Sequence, residues 1–156
     1  MPIKLQFVRQ DDISSAAIAW FSQGHFSHVD AVIPEQGLLG ARNDSVGGKP
    51  PGVQIRPHDY AKFSTRVVMT VPATPAQASA FYGFLGSQLG KPYDTAAIWA
   101  FVANRDWRQE DSWICSELQS AAGEAAGITP KLYLAANKIT PVGCALAYSA
   151  VGGTVQ

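Results

Sequence analysis

Ile3, Leu5 and Phe7 alternate with Lys4 and Gln6, the two-residue period of a strand with one buried face. Asp11 or Asp12 then caps an Ala-rich segment with apolar residues at 13, 16, 17, 20 and 21, a helical stripe that stops near Gly24. Residues 27–33 are β-branched and small apolar up to Pro34, so a second strand is expected, with His28, Asp30 and Val32 on one face. Gln36-Gly37 is a turn into a third strand over 38–42. Residues 43–52, rich in Gly, Pro, Asn and Asp, read as a surface loop before short strands at 53–56 and 66–71.

Helical signals dominate the second half. Thr74-Pro75 is an N-cap followed by proline at the first helical position, and apolar residues at 78, 81, 82, 85 and 89 carry that helix to Gly90. Asp94 is placed to cap a helix over 95–103, and a polar link over 104–111 follows. Ile114, Leu118, Ala121, Ala122 and Ala125 form one stripe ending at Gly127, which sets Cys115 in the first turn of a helix. Thr129-Pro130 opens a short further helix, and 139–150 reads as a closing strand. Strands paired in antiparallel fashion and packed against helices make the expected class α+β, in a single domain over 1–156.

Composition narrows the function. Apolar residues are 47% of the chain and charged ones 15%, below the usual ~25%, as expected of a compact globule rather than a disordered chain. Twelve basic residues balance twelve acidic ones, so nothing favours nucleic acid or an anionic surface as partner. The uncharged stretches 67–90 and 139–156 are interrupted by Pro72, Pro75 and Pro141 and by glycines, and stable membrane insertion is not expected. Lys4, Arg9, Asp11 and Asp12 spoil any apolar leader, so the expected location is cytoplasmic and the two cysteines, Cys115 and Cys144, are expected as free thiols.

A thiol at a helix N-terminus lies beside unsatisfied backbone N–H groups and the positive end of the dipole, which favour thiolate over thiol. Cys115 has that placement, whereas Cys144, in an apolar stretch, reads as a small core residue. Of His25, His28 and His58, only His28 is on a convincing strand, a rigid platform from which an imidazole can serve a thiol as base. The same sites have plainer readings: a packed cysteine, and a histidine satisfied by a carbonyl. His25-x-x-His28 with Cys115 is too sparse for a zinc site, and no metal or organic cofactor is expected.

Four runs together resemble a known family: Phe26-Ser27-His28-Val29, Leu89-Gly90-Lys91-Pro92-Tyr93-Asp94, Trp113-Ile114-Cys115-Ser116-Glu117-Leu118, and Thr129-Pro130-Lys131-Leu132. They are similar to the circularly permuted NlpC-type papain-like cysteine hydrolases, in the YiiX-like branch related to lecithin:retinol acyltransferase-like proteins. There the strand histidine precedes the helix cysteine, as here, and the resemblance spans roughly residues 25–135. It implies a papain-like antiparallel sheet packed against helices, Cys115 as nucleophile and His28 as general base. It also implies Tyr93 at the oxyanion site or cleft, against a plainer reading as a half-buried aromatic; Trp113, beside the cysteine, either walls the cleft or simply packs. Glu117 and Asp94 are read as structural.

The family's third polar residue, which orients the imidazole, is expected on the strand after the histidine strand. The matching position is Gly40, which has no side chain. Either a water or backbone carbonyl replaces it, or Asp30, Arg42 or Asp44 takes the part, or activity is weak or lost. Asp30, two residues along and roughly 7 Å away, is expected as an electrostatic neighbour rather than a direct partner. The implied function is cleavage of an amide in a small peptide, peptidoglycan-type peptides included, through an acyl-enzyme. The alternatives are a thioesterase or acyltransferase on an acyl lipid, or an inactive binding module. Oligomeric state is not legible in the sequence.

Overall fold

The computed structural model describes residues 1–10, 25–95, 113–131 and 139–155. Six strands form one sheet: β1 (Ile3–Arg9), β2 (His28–Ile33), β3 (Gly37–Arg42), β4 (Gly52–Arg56), β5 (Thr65–Val71) and β6 (Thr154–Val155). Their spatial order is β4-β3-β2-β1-β5-β6, and every neighbouring pair is antiparallel. Three helices are described: α1 (Pro75–Ser87), α2 (Cys115–Ala125) and α3 (Pro141–Ala150). The α+β class expected from the pattern is therefore observed. No helix among the described residues is long and apolar enough to cross a membrane.

Register assigns the two faces of the sheet. Leu5 pairs with Ala31 and Met69, and Ala31 with Leu39, so this row of apolar side chains shares one face. It meets Phe81 and Leu85 of α1, Leu118 and Ala122 of α2, and Cys144 and Tyr148 of α3 in one apolar core. Burying each large side chain of that core is worth about 1.5–3 kcal/mol, which is what holds α2 flat across β2 and β3. Polar ties fix its position as well. Gln119 Nε2 donates to Leu39 O at 3.0 Å, Tyr148 Oη to Gln119 O at 2.7 Å, and Ser116 Oγ to Ile139 O at 2.5 Å.

The helix ends follow local chemistry. Thr74 caps α1 in a capping box: its hydroxyl accepts from Gln77 N at 3.2 Å, and Gln77 Oε1 accepts from Thr74 N at 3.0 Å. At the far end of α2, Gly127 takes φ +62°, and the Ile128 N–H bonds back to Gly123 O at 2.9 Å, closing the helix as the sequence suggested.

One element departs from expectation. Residues 139–150 are not a closing strand; they contain α3. Thr140-Pro141 repeats the Thr74-Pro75 signature, with Thr140 Oγ1 accepting from Gly143 N at 3.0 Å. The buried positions Pro141, Cys144 and Tyr148 recur every three to four residues, a helical period hidden by the β-branched and glycine content around it. Cys144 is thus a core residue on a helix rather than on a strand. The expected helices over 13–21 and 95–103, the link over 104–111, and nearly all of the segment after Thr129-Pro130 lie outside the described residues, as do Trp20, Trp99 and Trp107.

Candidate active site

The N-terminus of α2 abuts the start of β2, and that meeting brings together Cys115 and His28, which stand 87 positions apart in the chain. Cys115 is 6% exposed and His28 7%. The Cys115 thiol is in hydrogen-bonding reach of the His28 imidazole and of the Val29 backbone N–H. Nε2 of His28 bonds Asp30 Oδ1 at 2.8 Å, so Nδ1 is the nitrogen left for Cys115. His25 and His58 are both exposed and take no part. Among the described residues, no three His, Cys, Asp or Glu side chains gather closely enough to hold a metal.

The electrostatics follow from these contacts. Burial alone would depress the His28 imidazolium, but the Asp30 charge, the nearby Cys115 and their hydrogen bonds outweigh it and raise the pKa to about 9. Burial alone would keep Cys115 a neutral thiol; the His28 charge and hydrogen bond, with the Val29 N–H, pull its pKa below that of an ordinary cysteine. Cys144 shows the contrast. Buried in the core beside Ser120, it is pushed up to about 12.

Asp30 requires a correction: it is a direct partner of His28, not a distant electrostatic neighbour. The expected separation of ~7 Å applies to the backbone of residues two apart, whereas side chains lean along a strand and close that gap. Gly40 is what makes the room. It follows Leu39 in the β2–β3 register and lies across from Asp30, and a Cβ at position 40 would overlap Asp30 Oδ1. The space that a side chain from β3 would fill is thus taken by a carboxylate from β2. Arg56, only 1% exposed, donates from Nη1 to Gly40 O at 3.2 Å and holds this stretch of β3 in place.

The other two candidates for the orienting role pair with each other. Arg42 Nε and Nη2 bond the two carboxylate oxygens of Asp44 at 2.6 and 2.7 Å, a bidentate fork, and neither side chain bonds His28. Tyr60 was not marked by the sequence, yet its hydroxyl bonds Asp30 Oδ2 at 2.9 Å. Nothing in His58-Asp59-Tyr60 signals this; Tyr60 follows β4 in a turn closed by its N–H on Pro57 O, and its hydroxyl reaches Asp30 and Arg42 from there.

Tyr93 and Trp113 arrive on a strap. Gly90 N–H bonds Val53 O, and Val53 N–H bonds Lys91 O, both at 2.9 Å, so residues 90–91 dock on the outer edge of β4. Trp113 N–H to Pro92 O and Asp94 N–H to Trp113 O, both 3.1 Å, then fasten Tyr93 beside the residues that lead into α2. Tyr93 feels the charge of Cys115, and burial together with that charge keeps its phenol neutral, able to donate a hydrogen bond. The Trp113 indole N–H is committed to Gln88 Oε1 at 3.1 Å, and its ring meets Phe84 edge-on at 6.0 Å. Asp94 is fully buried, and Glu117, 2% exposed, occupies the first turn of α2.

Ile114 precedes Cys115 at the N-cap position and offers no side-chain cap. The first-turn N–H groups beside the thiol therefore receive no hydroxyl or carboxylate from the cap residue. No protein-family model matches the chain, and neither does any curated protein.

Proposed function

We propose that the protein is a cysteine hydrolase of circularly permuted, NlpC-type papain-like architecture, cleaving an amide bond in a peptide substrate through an acyl-enzyme. The observation that carries this reading is the connected series Cys115, His28, Asp30: a thiol with lowered pKa, an imidazole with raised pKa, and a buried carboxylate bonded to its far nitrogen. The Asp30 carboxylate in the space above Gly40 supports an active site over an inactive module, because it stands where the side chain of the third residue was expected.

In this mechanism the Cys115 thiolate adds to the carbonyl carbon, forming a C–S bond as the carbonyl π pair moves onto oxygen. The oxyanion is met by first-turn N–H groups of α2 and by the neutral Tyr93 hydroxyl. His28, protonated at neutral pH, passes its proton to the leaving nitrogen as the C–N bond breaks. It next takes a proton from water, whose oxygen attacks the thioester and frees the thiolate. Asp30 keeps the imidazole in one orientation and stabilises its charged form. Protein groups and one water carry every step, and a peptide amide is the substrate class we take from the family resemblance.

The test is alkylation by iodoacetamide across pH, with mass spectrometry reporting each cysteine in wild type and His28→Ala. Cys115 is expected to react well below pH 8 and Cys144 not at all in the folded protein, with the advantage of Cys115 lost in the variant. Equal reactivity of the two thiols, or a Cys115 profile unmoved by His28→Ala, overturns the proposal.

A further inference from the structure

Asp30 is a buried carboxylate whose two oxygens have separate partners, and the partner of the second is a phenol that itself has a fixed donor. Tyr60 is 8% exposed. Its oxygen accepts from Arg42 Nη1 at 3.2 Å, since a guanidinium has no acceptor, and its single proton therefore points to Asp30 Oδ2 at 2.9 Å. Arg42 cannot swing away. Its other two nitrogens grip Asp44, and its guanidinium carbon stacks over the Tyr60 ring at 5.1 Å from the centroid. Phe63 braces the same ring edge-on at 5.3 Å. All hydrogen bonds in the series thus have one possible direction: Arg42 to Asp44, Arg42 to Tyr60, Tyr60 to Asp30, and His28 to Asp30.

We infer that Tyr60 is a positioning residue for the Cys115 reaction, acting through Asp30 by fixing the carboxylate so that Oδ1 faces His28. The inference rests on the cysteine hydrolase reading and adds a fourth member to its machinery. The physical need is specific. The terminal torsion of an aspartate is soft, with no strong rotameric preference, so one hydrogen bond to His28 leaves the carboxylate free to rock. A second bond to Oδ2, from a donor clamped on three sides, removes that freedom. Tyr60 stays neutral because burial and the Asp30 charge both oppose its ionisation, so it donates at every pH at which the enzyme works. Replacing the missing β3 side chain by Asp30 leaves the carboxylate on the histidine's own strand, and Tyr60 supplies the bracing from outside it.

The charged and titratable groups around the His28–Asp30 pair are Cys115 from α2, Tyr93 from the strap, Arg42 and Asp44 at the end of β3, Arg56 from β4, and Tyr60 itself. Tyr60→Phe leaves every one of their charges in place and keeps the ring against Arg42 and Phe63, so it removes only the hydroxyl. The experiment follows the His28 ring by NMR across pH, together with Cys115 alkylation, in wild type, Tyr60→Phe, Asp30→Asn and the double variant. The lost donor by itself leaves more negative charge on Asp30 and would raise the His28 midpoint, so a midpoint in Tyr60→Phe that falls below about 9 reports the carboxylate turning Oδ1 away, and that fall is the result expected. Tyr60→Phe should shift nothing further once Asp30 is Asn. Arg42→Lys, which keeps the charge and loses the fork, should move the midpoint the same way by less, and serves if Tyr60→Phe folds poorly.

A His28 midpoint unmoved or raised by Tyr60→Phe, or an equal shift with and without the Asp30 carboxylate, overturns the assignment of Tyr60 alone. An ordinary thiol profile for Cys115 in the wild type overturns the hydrolase reading, and the role of Tyr60 with it.

Discussion

The N-termini of α1 and α2 start from the same backbone geometry and are finished in opposite ways. Thr74 and Ile114 both enter their helices in extended conformation, at φ −69°, ψ 161° and φ −94°, ψ 159°. At α1 the exposed Thr74 hydroxyl accepts from the Gln77 N–H, the Gln77 amide accepts in turn from the Thr74 N–H, and proline at the first helical position removes one more donor. At α2 an isoleucine stands at the cap and cysteine follows it, so the cap residue takes up none of the first-turn N–H groups and the helix forgoes about 1 kcal/mol of capping stabilisation. The difference separates structure from chemistry: a helix end that satisfies itself has nothing to offer a substrate, whereas one that does not can hold charge developing outside the chain. The second difference is what each end meets. Thr74 faces solvent, whereas Cys115 meets His28 and the Val29 N–H.

The thiol at the start of α2 carries the largest expected effect. Cys115→Ala is expected to lower hydrolysis of fluorogenic peptide amides by about 10,000-fold or more, with the fold retained by circular dichroism; an active Cys115→Ala protein would leave the uncapped end of α2 without a catalytic meaning. Next in size is Asp30→Asn. Asp30 raises the His28 pKa, and in the proposed mechanism the imidazolium is the form that protonates the leaving group, so activity is expected to fall as pH rises through that value. Loss of the carboxylate should therefore move the alkaline limb of the pH–rate profile down from about 9 toward 6.5, and lower the maximal rate by about 100-fold. Gly40→Ala should produce the same downward shift without touching a titratable group, because the added methyl displaces Asp30 Oδ1; an unchanged profile would show that the close approach is unimportant.

Two smaller effects sharpen the contrast between the helix ends. Ile114→Thr gives α2 the cap that α1 already has. Its hydroxyl should take up a first-turn N–H, so that Cys115 alkylation at neutral pH slows several-fold while the melting free energy changes by no more than about 1 kcal/mol, capping gain offsetting lost burial. Thr74→Ala is the mirror experiment, costing about 1 kcal/mol in denaturant titration and leaving the Cys115 profile as it was. If capping α2 does not slow the thiol, the donors at its first turn do not act on Cys115.

How far the sequence could be read depended on whether a feature was local. Strand alternation in Ile3, Leu5 and Phe7 and the Thr74-Pro75 cap report on neighbours a few residues away, and both elements form where the pattern puts them. Thr140-Pro141 carries the same local signal and opens α3, where the Val and Ile content around it had suggested a strand. The placement of Cys115 at a helix start and His28 on a strand was legible for the same reason. Their meeting was not, because it depends on α2 lying across β2.

The α+β class, most of the elements among the described residues, and which cysteine and which histidine have a placement suited to chemistry are legible in residue order alone. Periodicity and caps are short-range properties, written in consecutive residues. Only the tertiary structure decided that Asp30 fills the space above Gly40, that Arg42 turns to Asp44, and that Tyr60 from a distant loop holds the carboxylate. Those facts come from strand register and from the absence of one side chain across a sheet. A carboxylate can be seen in a sequence, but the cavity that admits it belongs to two strands at once.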